Sequence, residues 1–235
     1  MYREQPSGVP GVMLWRSAPT GARPGGTHVL PDGCMDLIRH ADGFLVAGPD
    51  TRSQYSDLAT GQSLTAVRFA PGVGPRFFGI DACELTDRRV PLDDLWPSRR
   101  VRALAGRAEH DPVGALVDAA RATTHEQDPM PDLARALSSG RSVSELASAL
   151  GWSDRTLRRR STRAYGYGPK MLSRVLRFRR AVARARAGDA FARIAADCGY
   201  SDQAHLAREV RMFSGATLGA LVRGHPGSAE NRSTA

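Results

Sequence analysis

Arginine is the residue type with the clearest chemical capacity in this chain, and its spacing near the C-terminus is regular. After Ser153 the sequence reads Asp-Arg-Thr-Leu-Arg-Arg-Arg-Ser-Thr-Arg163. On a helix, Leu157 would face inward, whereas one outward face would carry Arg155, Arg158, Arg159 and Arg163. The planar guanidinium group bonds guanine O6 and N7 in the major groove or clamps phosphates. This spacing predicts contact with a nucleic-acid duplex.

A second stretch of the chain offers a less basic set of contacts. The run Asp202-Gln-Ala-His-Leu-Ala-Arg-Glu-Val-Arg-Met-Phe213 would present four side chains outward on a helix: Gln203, Ala204, Ala207 and Arg208. Glutamine pairs well with adenine, and alanine can contact a thymine methyl group. His205 leaves two interpretations open, a DNA contact or a partly buried, neutral packing residue.

The net positive charge is confined to this part of the chain. From Arg141 to Arg223 there are 17 Lys+Arg and 6 Asp+Glu, a net charge of +11; the remaining residues hold 16 and 18, a net of −2, which gives the total of +9. A concentrated excess attracts polyanions, whereas an even one only aids solubility. The distribution therefore favours nucleic acid as a partner.

The elements that must position these side chains occur twice, as an internal repeat. Glu145-Leu-Ala-Ser-Ala-Leu-Gly-Trp-Ser-Asp154 reappears 48 residues later as Arg193-Ile-Ala-Ala-Asp-Cys-Gly-Tyr-Ser-Asp202. In each copy, alanine lets two helices cross closely, glycine makes a left-handed corner, and Ser or Asp caps the next helix. The repeat predicts two helix-turn-helix units. A purely structural helical hairpin is the alternative.

One helix is predicted to join the two units. Pro169 stands where a helix would begin, and Lys170 to Ala187 carries apolar residues at helical spacing: Met171, Val175, Phe178 and Val182. Its length of roughly 28 Å is near the ~34 Å between successive major-groove faces, so both units would reach one side of a duplex. Its polar side is expected to be mainly solvated, with phosphate contacts for a minority of Arg174, Arg177, Arg180 and Arg184.

The chain before Pro97 has a different character. Turn signals separate short β-prone runs at Val12–Trp15, Thr27–Leu30, Met35–Ile38, Phe44–Ala47 and Ser63–Phe69, and a short helix is expected around Ala82–Thr86. The predicted fold class is α+β. Four segments are expected: a β-rich sensor or dimerisation domain at 1–97, a helical linker at 98–140, an all-α domain with two helix-turn-helix units at 141–223, and a flexible tail at 224–235.

Three motifs resemble the C-terminal DNA-binding domain of AraC-type (AraC/XylS) transcriptional regulators. They are Leu146-Ala-x3-Gly-Trp-Ser-x-Arg-Thr-Leu-x-Arg159, Gly166-Tyr-Gly-Pro-Lys170 and Ile194-Ala-x3-Gly-Tyr-Ser-Asp-Gln-Ala-His-Leu-Ala-Arg208. The resemblance implies sequence-specific reading of two successive major-groove segments. The residues it implies for DNA contact are Arg155, Thr156, Arg158, Arg159, Arg163, Gln203, Ala204, Ala207, Arg208 and Arg211. Two departures concern packing: the phenylalanine usually under each recognition helix is Ser161 in the first unit and Val210 in the second.

The N-terminal part also has a family resemblance. The segments His28-Val-Leu-Pro-Asp-Gly-Cys-Met-Asp-Leu-Ile38 and Leu92-Asp-Asp-Leu-Trp96 resemble a poorly characterised β-domain that is often fused to such DNA-binding domains, with a reduced cupin-like fold. This resemblance implies sensing or self-association. It allows a small-molecule effector at the N-terminal domain and a homodimer as partners besides double-stranded DNA, without naming a ligand.

Enzymatic and metal-binding functions find little support. His28, Asp32, Asp36 and His40 are spaced by four, but Pro31 and Gly33 break any helix that would present them together. The sequence contains no phosphate-binding loop and no nucleophile elbow. The chain is therefore expected not to be an enzyme, with no catalytic residue, metal or cofactor. The alternative is a small-molecule-binding or catalytic cupin-like protein whose basic helical domain serves localisation.

Cysteine usage and hydropathy favour a cytoplasmic protein without a membrane partner. Cys34, Cys83 and Cys198 are far apart and odd in number, so they are expected to be buried free thiols rather than a disulfide framework. No apolar run of about eighteen residues and no secretory signal pattern occur.

Overall fold

The structure, a computed structural model, describes residues 2–18, 27–123 and 128–223. Its strands are β1 Tyr2–Val9, β2 Val12–Ser17, β3 Thr27–Val29, β4 Met35–His40, β5 Gly43–Ala47, β6 Gln54–Ser56, β7 Leu64–Phe69 and β8 Arg89–Pro91. Its helices are α1 Gly74–Phe78, α2 Ser98–His110, α3 Pro112–Arg121, α4 Pro129–Ser138, α5 Val143–Ala149, α6 Asp154–Tyr165, α7 Pro169–Arg186, α8 Phe191–Asp197, α9 Gln203–Ser214 and α10 Leu218–Val222, with 3-10 helices at Ala82–Leu85 and Leu92–Asp94. The predicted α+β class, β-rich before α-rich, is confirmed. The predicted tail at 224–235 lies outside the described residues.

Six strands form one antiparallel sheet in the order β1-β2-β7-β4-β5-β8, and β3 pairs with β6 separately. Because side chains alternate along a strand, neighbouring residues serve different cores. Leu37 of β4 and Val67 of β7 lie in the core beneath the helices, whereas Ile38 and Ala66 pack on the opposite face. The five predicted strands are thus present: β2, β4, β5 and β7 lie in the six-stranded sheet, and β3 lies in the separate pair.

The strands that the sequence did not reveal are polar or very short. β1 reads Tyr-Arg-Glu-Gln-Pro-Ser-Gly-Val and lies at the edge of the sheet, paired only with β2 in the strand order. An edge strand needs one apolar face at most, so its sequence lacks the alternation that marks a central strand. β6 and β8 have three residues each. Three residues are too few to show the alternation of apolar and polar residues that marks a strand.

The predicted linker contributes to two different cores. Leu104 of α2 and Leu116 of α3 pack with the sheet, whereas Leu133 and Leu137 of α4 pack with the C-terminal helices. Each of these side chains is almost fully buried. We therefore propose that the boundary between the two domains lies between α3 and α4.

A buried charged group occupies the other face of the sheet. The Arg68 Nε donates to Asp36 Oδ1 at 3.0 Å, and the indole nitrogen of Trp15 donates to the same oxygen at 2.6 Å. Asp36, one of the residues spaced by four, thus has partners inside the sheet. Among residues 2–18, 27–123 and 128–223, no group of three or more His, Cys, Asp or Glu side chains is placed to hold a metal ion.

Two of the three cysteines meet the expectation of buried thiols. Cys34 and Cys198 are buried, whereas Cys83 is only half-buried in the 3-10 helix Ala82–Leu85. Burial raises the pKa of the Cys34 thiol well above its ordinary value. Among the helices described, none combines the length and apolar character that crossing a bilayer requires.

α7 lies at the centre of the C-terminal core. Leu172, Val175 and Phe178 are at most 1% exposed, and α7 runs from Pro169 to Arg186. Proline at the first helical position has no amide hydrogen to leave unsatisfied, which explains why the helix begins there. The predicted connecting helix is confirmed.

Candidate nucleic-acid interface

The first helix-turn-helix unit consists of α5 and α6. Leu146 and Ala147 of α5 are buried, and the corner lies at Gly151, whose φ of 63° is in the left-handed region that favours glycine. Ser153 caps α6, because its hydroxyl accepts a hydrogen bond from the Thr156 amide at 3.2 Å. Corner and cap occur where the repeat predicts them.

α6 presents three arginines to solvent. Arg155, Arg158 and Arg159 are exposed on the side opposite the buried Leu157. In the part of the chain that the structure describes, none of the three has a carboxylate within ion-pair distance. Thr156 is half-buried, and its hydroxyl accepts a hydrogen bond from the Ser153 hydroxyl at 3.0 Å. The arginines are available to an external anion, whereas Thr156 serves the cap.

Arg163 has a partner within the chain that the sequence did not predict. Its Nε donates to Asp81 Oδ2 at 2.8 Å, next to the 3-10 helix Ala82–Leu85 of the N-terminal domain. The Arg163 side chain is 66% exposed, so the pair contributes little to stability. Its Nε is engaged within the chain, and the DNA contact predicted for Arg163 stays a prediction.

The second unit consists of α8 and α9. Ile194 and Ala195 of α8 are buried, and Gly199 makes the corner with a φ of 76°. Asp202 caps α9, because its carboxylate accepts a hydrogen bond from the His205 amide at 2.6 Å. Burial at the two matching positions and a left-handed glycine recur in both units. The predicted duplication is therefore present in three dimensions.

α9 presents a mixed polar face to solvent. All five residues of α9 predicted for DNA contact are exposed, as is Met212: Gln203, Ala204, Ala207, Arg208 and Arg211. His205 is half-buried; its ring meets the edge of Tyr200 with 5.2 Å between ring centroids, and its Nδ1 lies 3.3 Å from the Ser201 amide nitrogen. The packing interpretation of His205 fits this position better than DNA contact does.

The arginines of α7 are not a solvated face, contrary to expectation. Arg174 and Arg177 both bind Glu209, a buried residue of α9, with nitrogen–oxygen distances of 2.8 and 2.9 Å. Arg177 also lies over the Tyr200 ring, 4.4 Å from its centroid. These two arginines hold α9, the second helix of the second unit, against α7. Their guanidinium groups are therefore engaged within the protein.

The remaining two arginines of that set also bind partners within the protein. Arg180 donates to the carbonyls of Ser138 and Cys198 at 2.9 and 3.1 Å. Arg184 pairs with Asp189 and Asp197. A cation at the C-terminus of a helix satisfies carbonyls that have no partner in the helix and interacts favourably with the helix dipole. The sequence missed most of this role because Ser138, Asp197 and Cys198 lie at the ends of α4 and α8.

The N-terminal domain contacts the C-terminal ends of α6 and α9, the second helices of the two units. The Thr86 hydroxyl donates to the carbonyls of Gly166 at 3.1 Å and Ala82 at 3.2 Å. The Ser53 amide donates to the carbonyl of Phe213 near the end of α9 at 2.7 Å. No sequence motif marks these contacts, because they join segments about 80 and 160 residues apart.

The two departures from the family pattern are both accommodated in the core. Val210 is fully buried, and Phe213, three residues later, packs against Phe178 with tilted rings and 5.1 Å between ring centroids. Ser161 is also fully buried, and its hydroxyl has no hydrogen-bond partner among the described residues. A buried hydroxyl without a partner costs stability, so the substitution at Ser161 is a local weakness of α6.

The C-terminal domain has two helix-turn-helix units on one connecting helix, and the second helix of each unit is capped and presents side chains to solvent. This arrangement defines a DNA-binding protein. The family comparison agrees with this class. Residues 132–224 match the family model of a helix-turn-helix domain, and residues 13–91 match a domain of unknown function, DUF6597. The predicted AraC-type helix-turn-helix domain is confirmed for the C-terminal part, and the chain is a DNA-binding transcription regulator.

Solved structures of ToxT from Vibrio cholerae are similar to this chain at low identity. ToxT from strain O395 aligns over 88% of this chain and 94% of that chain, with 7% identity and a TM-score of 0.42. Its complex with (E)-4-(8-methylnaphthalen-1-yl)but-3-enoic acid aligns over 92% and 96%, with 8% identity and a TM-score of 0.43. A search of curated proteins found no match to the chain.

Proposed function

We propose that the protein is a sequence-specific regulator whose two recognition helices, α6 and α9, enter successive major-groove segments of one duplex. The contrast between two groups of arginines carries this proposal. Four of the arginines of α7 bind partners inside the protein, whereas Arg155, Arg158 and Arg159 of α6 are exposed and have no acidic partner among the described residues. Unpaired guanidinium groups on one helix face match the acceptors of a major groove.

The length of α7 supports simultaneous reading by both units. Its 18 residues span about 27 Å at 1.5 Å per residue. Successive major-groove segments on one side of a duplex are about 34 Å apart, and α6 and α9 add reach at either end. Two units in one chain therefore suffice for a bipartite site.

Selection of preferred sites from random DNA with the full-length protein tests this proposal. A site with two conserved segments about one helical turn apart is the expected result. At fixed salt, the selected site should bind more tightly than random DNA, and both should weaken as salt rises because counterions are released. Binding that shows no sequence preference would indicate a polycation and overturn the proposal. A palindrome of two such sites would indicate a homodimer on the operator.

We further propose that a small organic anion binds between the two domains as an effector. A cavity of about 410 Å³ lies where β7 and α1 meet α4 and α7, and this volume is within the range of small-molecule sites, ~300–1,000 Å³. Its apolar lining includes Phe69, Phe77 and Leu176, and its charged lining consists of Arg76, Arg135, Arg179 and one carboxylate, Asp128. A ligand that touches both domains can bias their arrangement.

A thermal-shift screen of carboxylic acids against the full-length protein tests the effector site. A binding acid should raise the melting temperature, and Arg179→Ala should abolish that increase. Arg102→Ala, which removes an exposed arginine of α2, is the matched control. An increase that persists in Arg179→Ala would place the ligand elsewhere.

A further inference from the structure

Two segments of the N-terminal domain contact the C-terminal ends of the recognition helices. Residues 81–87 contact α6, through the hydrogen bond from Thr86 to Gly166 and the ion pair of Asp81 with Arg163. Residues 49–54 contact α9, through the hydrogen bond from the Ser53 amide to the Phe213 carbonyl. We call these two segments together the brace.

Asp87 joins the two segments of the brace. Its carboxylate accepts hydrogen bonds from the Thr51 amide at 2.7 Å, the Thr51 hydroxyl at 2.6 Å and the Gln54 amide group at 3.5 Å. Its own amide donates to the Pro49 carbonyl at 3.0 Å. Asp87 has a φ of 57°, and among the described residues no other non-glycine residue has a positive φ. Such a backbone conformation persists where surrounding contacts hold it in place.

The brace packs tightly against the end of α6. Gly166 has a φ of 84°, and a Cβ atom built there would lie 2.7 Å from Pro49 Cγ and closer still to the Thr86 hydroxyl. No side chain fits in this space without displacing the brace. The contact between the domains at this point is therefore one of direct packing as well as hydrogen bonding.

Within the C-terminal domain, α6 and α9 are connected through α7. The chain between them turns at Gly166–Gly168, runs through α7 and turns again at Gly188. The brace adds a second connection from α6 to α9 that does not pass through α7. Two independent connections between the same two elements restrict both their separation and their relative angle.

We propose that the brace sets the spacing between the two DNA half-sites that the protein accepts, with Asp87 and Thr86 as positioning residues. This inference rests on the proposed function above. Linked binding units gain affinity only where their separation matches that of the sites. One inserted base pair moves a half-site by about 3.4 Å and rotates it by about 34°, since a helical turn of ~34 Å contains about ten base pairs. A rigid pair of recognition helices is sensitive to this change, and a loosened pair is less so.

The test compares full-length wild type with Asp87→Gly and Thr86→Val on the selected operator and on operators with one base pair inserted or removed between the half-sites. Glycine tolerates the positive φ at position 87, and valine keeps the shape of the Thr86 side chain. Melting temperatures report whether each variant is folded. Asp42→Gly is the matched control, because this acidic turn residue has a side chain that is 90% exposed.

Wild type and Asp42→Gly should lose about tenfold or more in affinity when the spacing changes, as for a mismatched site. Asp87→Gly and Thr86→Val should lose less than about threefold, because a looser pair still engages both half-sites. An equal loss of affinity on changed spacing in all four proteins would overturn the proposal that the brace sets the spacing, while leaving the proposed function intact. Tighter binding of the two brace variants at the native spacing would also overturn it, since the contact would then be inhibitory. A wild type without sequence preference would refute the proposed function and the brace together.

Discussion

Arg177 and Glu209 form an ion pair that fastens the second recognition helix to the connecting helix. The Arg177 Nη2 lies 2.9 and 3.0 Å from the two carboxylate oxygens, and its Nε donates at 3.2 Å. The Glu209 side chain is only 3% exposed. Arg174 adds a hydrogen bond to the same carboxylate at 2.8 Å. The orientation of α9 therefore depends on a buried carboxylate as well as on apolar packing.

Glu209→Gln should lower the free energy of unfolding by about 2 kcal/mol. Removing the charge of one partner leaves two guanidinium groups without compensation beside the core, and the partial exposure of both arginines keeps the loss below that of a fully buried pair. Denaturant unfolding measures the difference. Glu109→Gln, an exposed glutamate of α2, is the control and should change stability little. A Glu209→Gln protein as stable as wild type would show that apolar packing alone holds α9.

The Glu209 contribution should disappear in acid. Burial by itself would raise the pKa of Glu209, but hydrogen bonds from Arg177 and Arg174 outweigh burial and hold this pKa below its ordinary value of 4.5. A depressed carboxylate pKa stabilises the folded state above the unfolded-state pKa, and this stabilisation is lost as pH falls through the folded-state pKa. The stability difference between wild type and Glu209→Gln should therefore be constant above about pH 5.5 and shrink below pH 4.5. A difference independent of pH would contradict this account.

Arg155→Ala, Arg159→Ala and Arg208→Ala should each weaken operator binding without unfolding the protein. A guanidinium group bonded to a base is worth about 1–3 kcal/mol, which corresponds to roughly 5- to 150-fold in affinity. Titrations with labelled operator measure the loss, and circular dichroism checks the fold. Arg102→Ala in α2 removes the same charge from an exposed helix position away from both units and should bind normally. Normal binding by all three variants would refute the assignment of the interface.

Gly166→Ala should destabilise the protein more than Gly215→Ala does. Both glycines follow a recognition helix and have left-handed φ values, 84° and 70°. The backbone cost of adding a Cβ atom is therefore the same at each position, about 1 kcal/mol. Only at Gly166 would the new atom meet the N-terminal domain; at Gly215 nothing lies within 4 Å. The difference between the two melting temperatures isolates the domain contact. Equal losses of stability would mean that the N-terminal domain accommodates the added Cβ atom at Gly166 without a cost in free energy.

Ser161→Ala should raise stability. The Ser161 hydroxyl is fully buried and has no hydrogen-bond partner among the described residues, and removing such a group relieves its desolvation cost of about 1–3 kcal/mol. Thermal unfolding measures the gain. Ser148→Ala, at an exposed position of α5, is the control. A loss of stability in Ser161→Ala would show that the hydroxyl has a partner in solution.

Much of the C-terminal fold could be predicted because its signals are local. Gly151 and Gly199 make left-handed corners, and Ser153 and Asp202 cap the helices that follow. Corners and caps depend on a few neighbouring residues, and a repeat displays each of them twice. The polar edge strand β1 could not be predicted in this way, since its place is fixed by pairing with β2 rather than by its own pattern.

The sequence alone determined that two helix-turn-helix units exist and that Arg155, Arg158 and Arg159 share one helix face, because helical periodicity is a property of neighbouring residues. Only the tertiary structure decided which arginines are free. Arg177 finds Glu209 32 residues away, Arg180 finds Ser138 42 residues away, and Arg163 finds Asp81 82 residues away. Every arginine carries the same charge in the sequence, and only the folded chain brings a carboxylate or a carbonyl to some of them and leaves the others exposed.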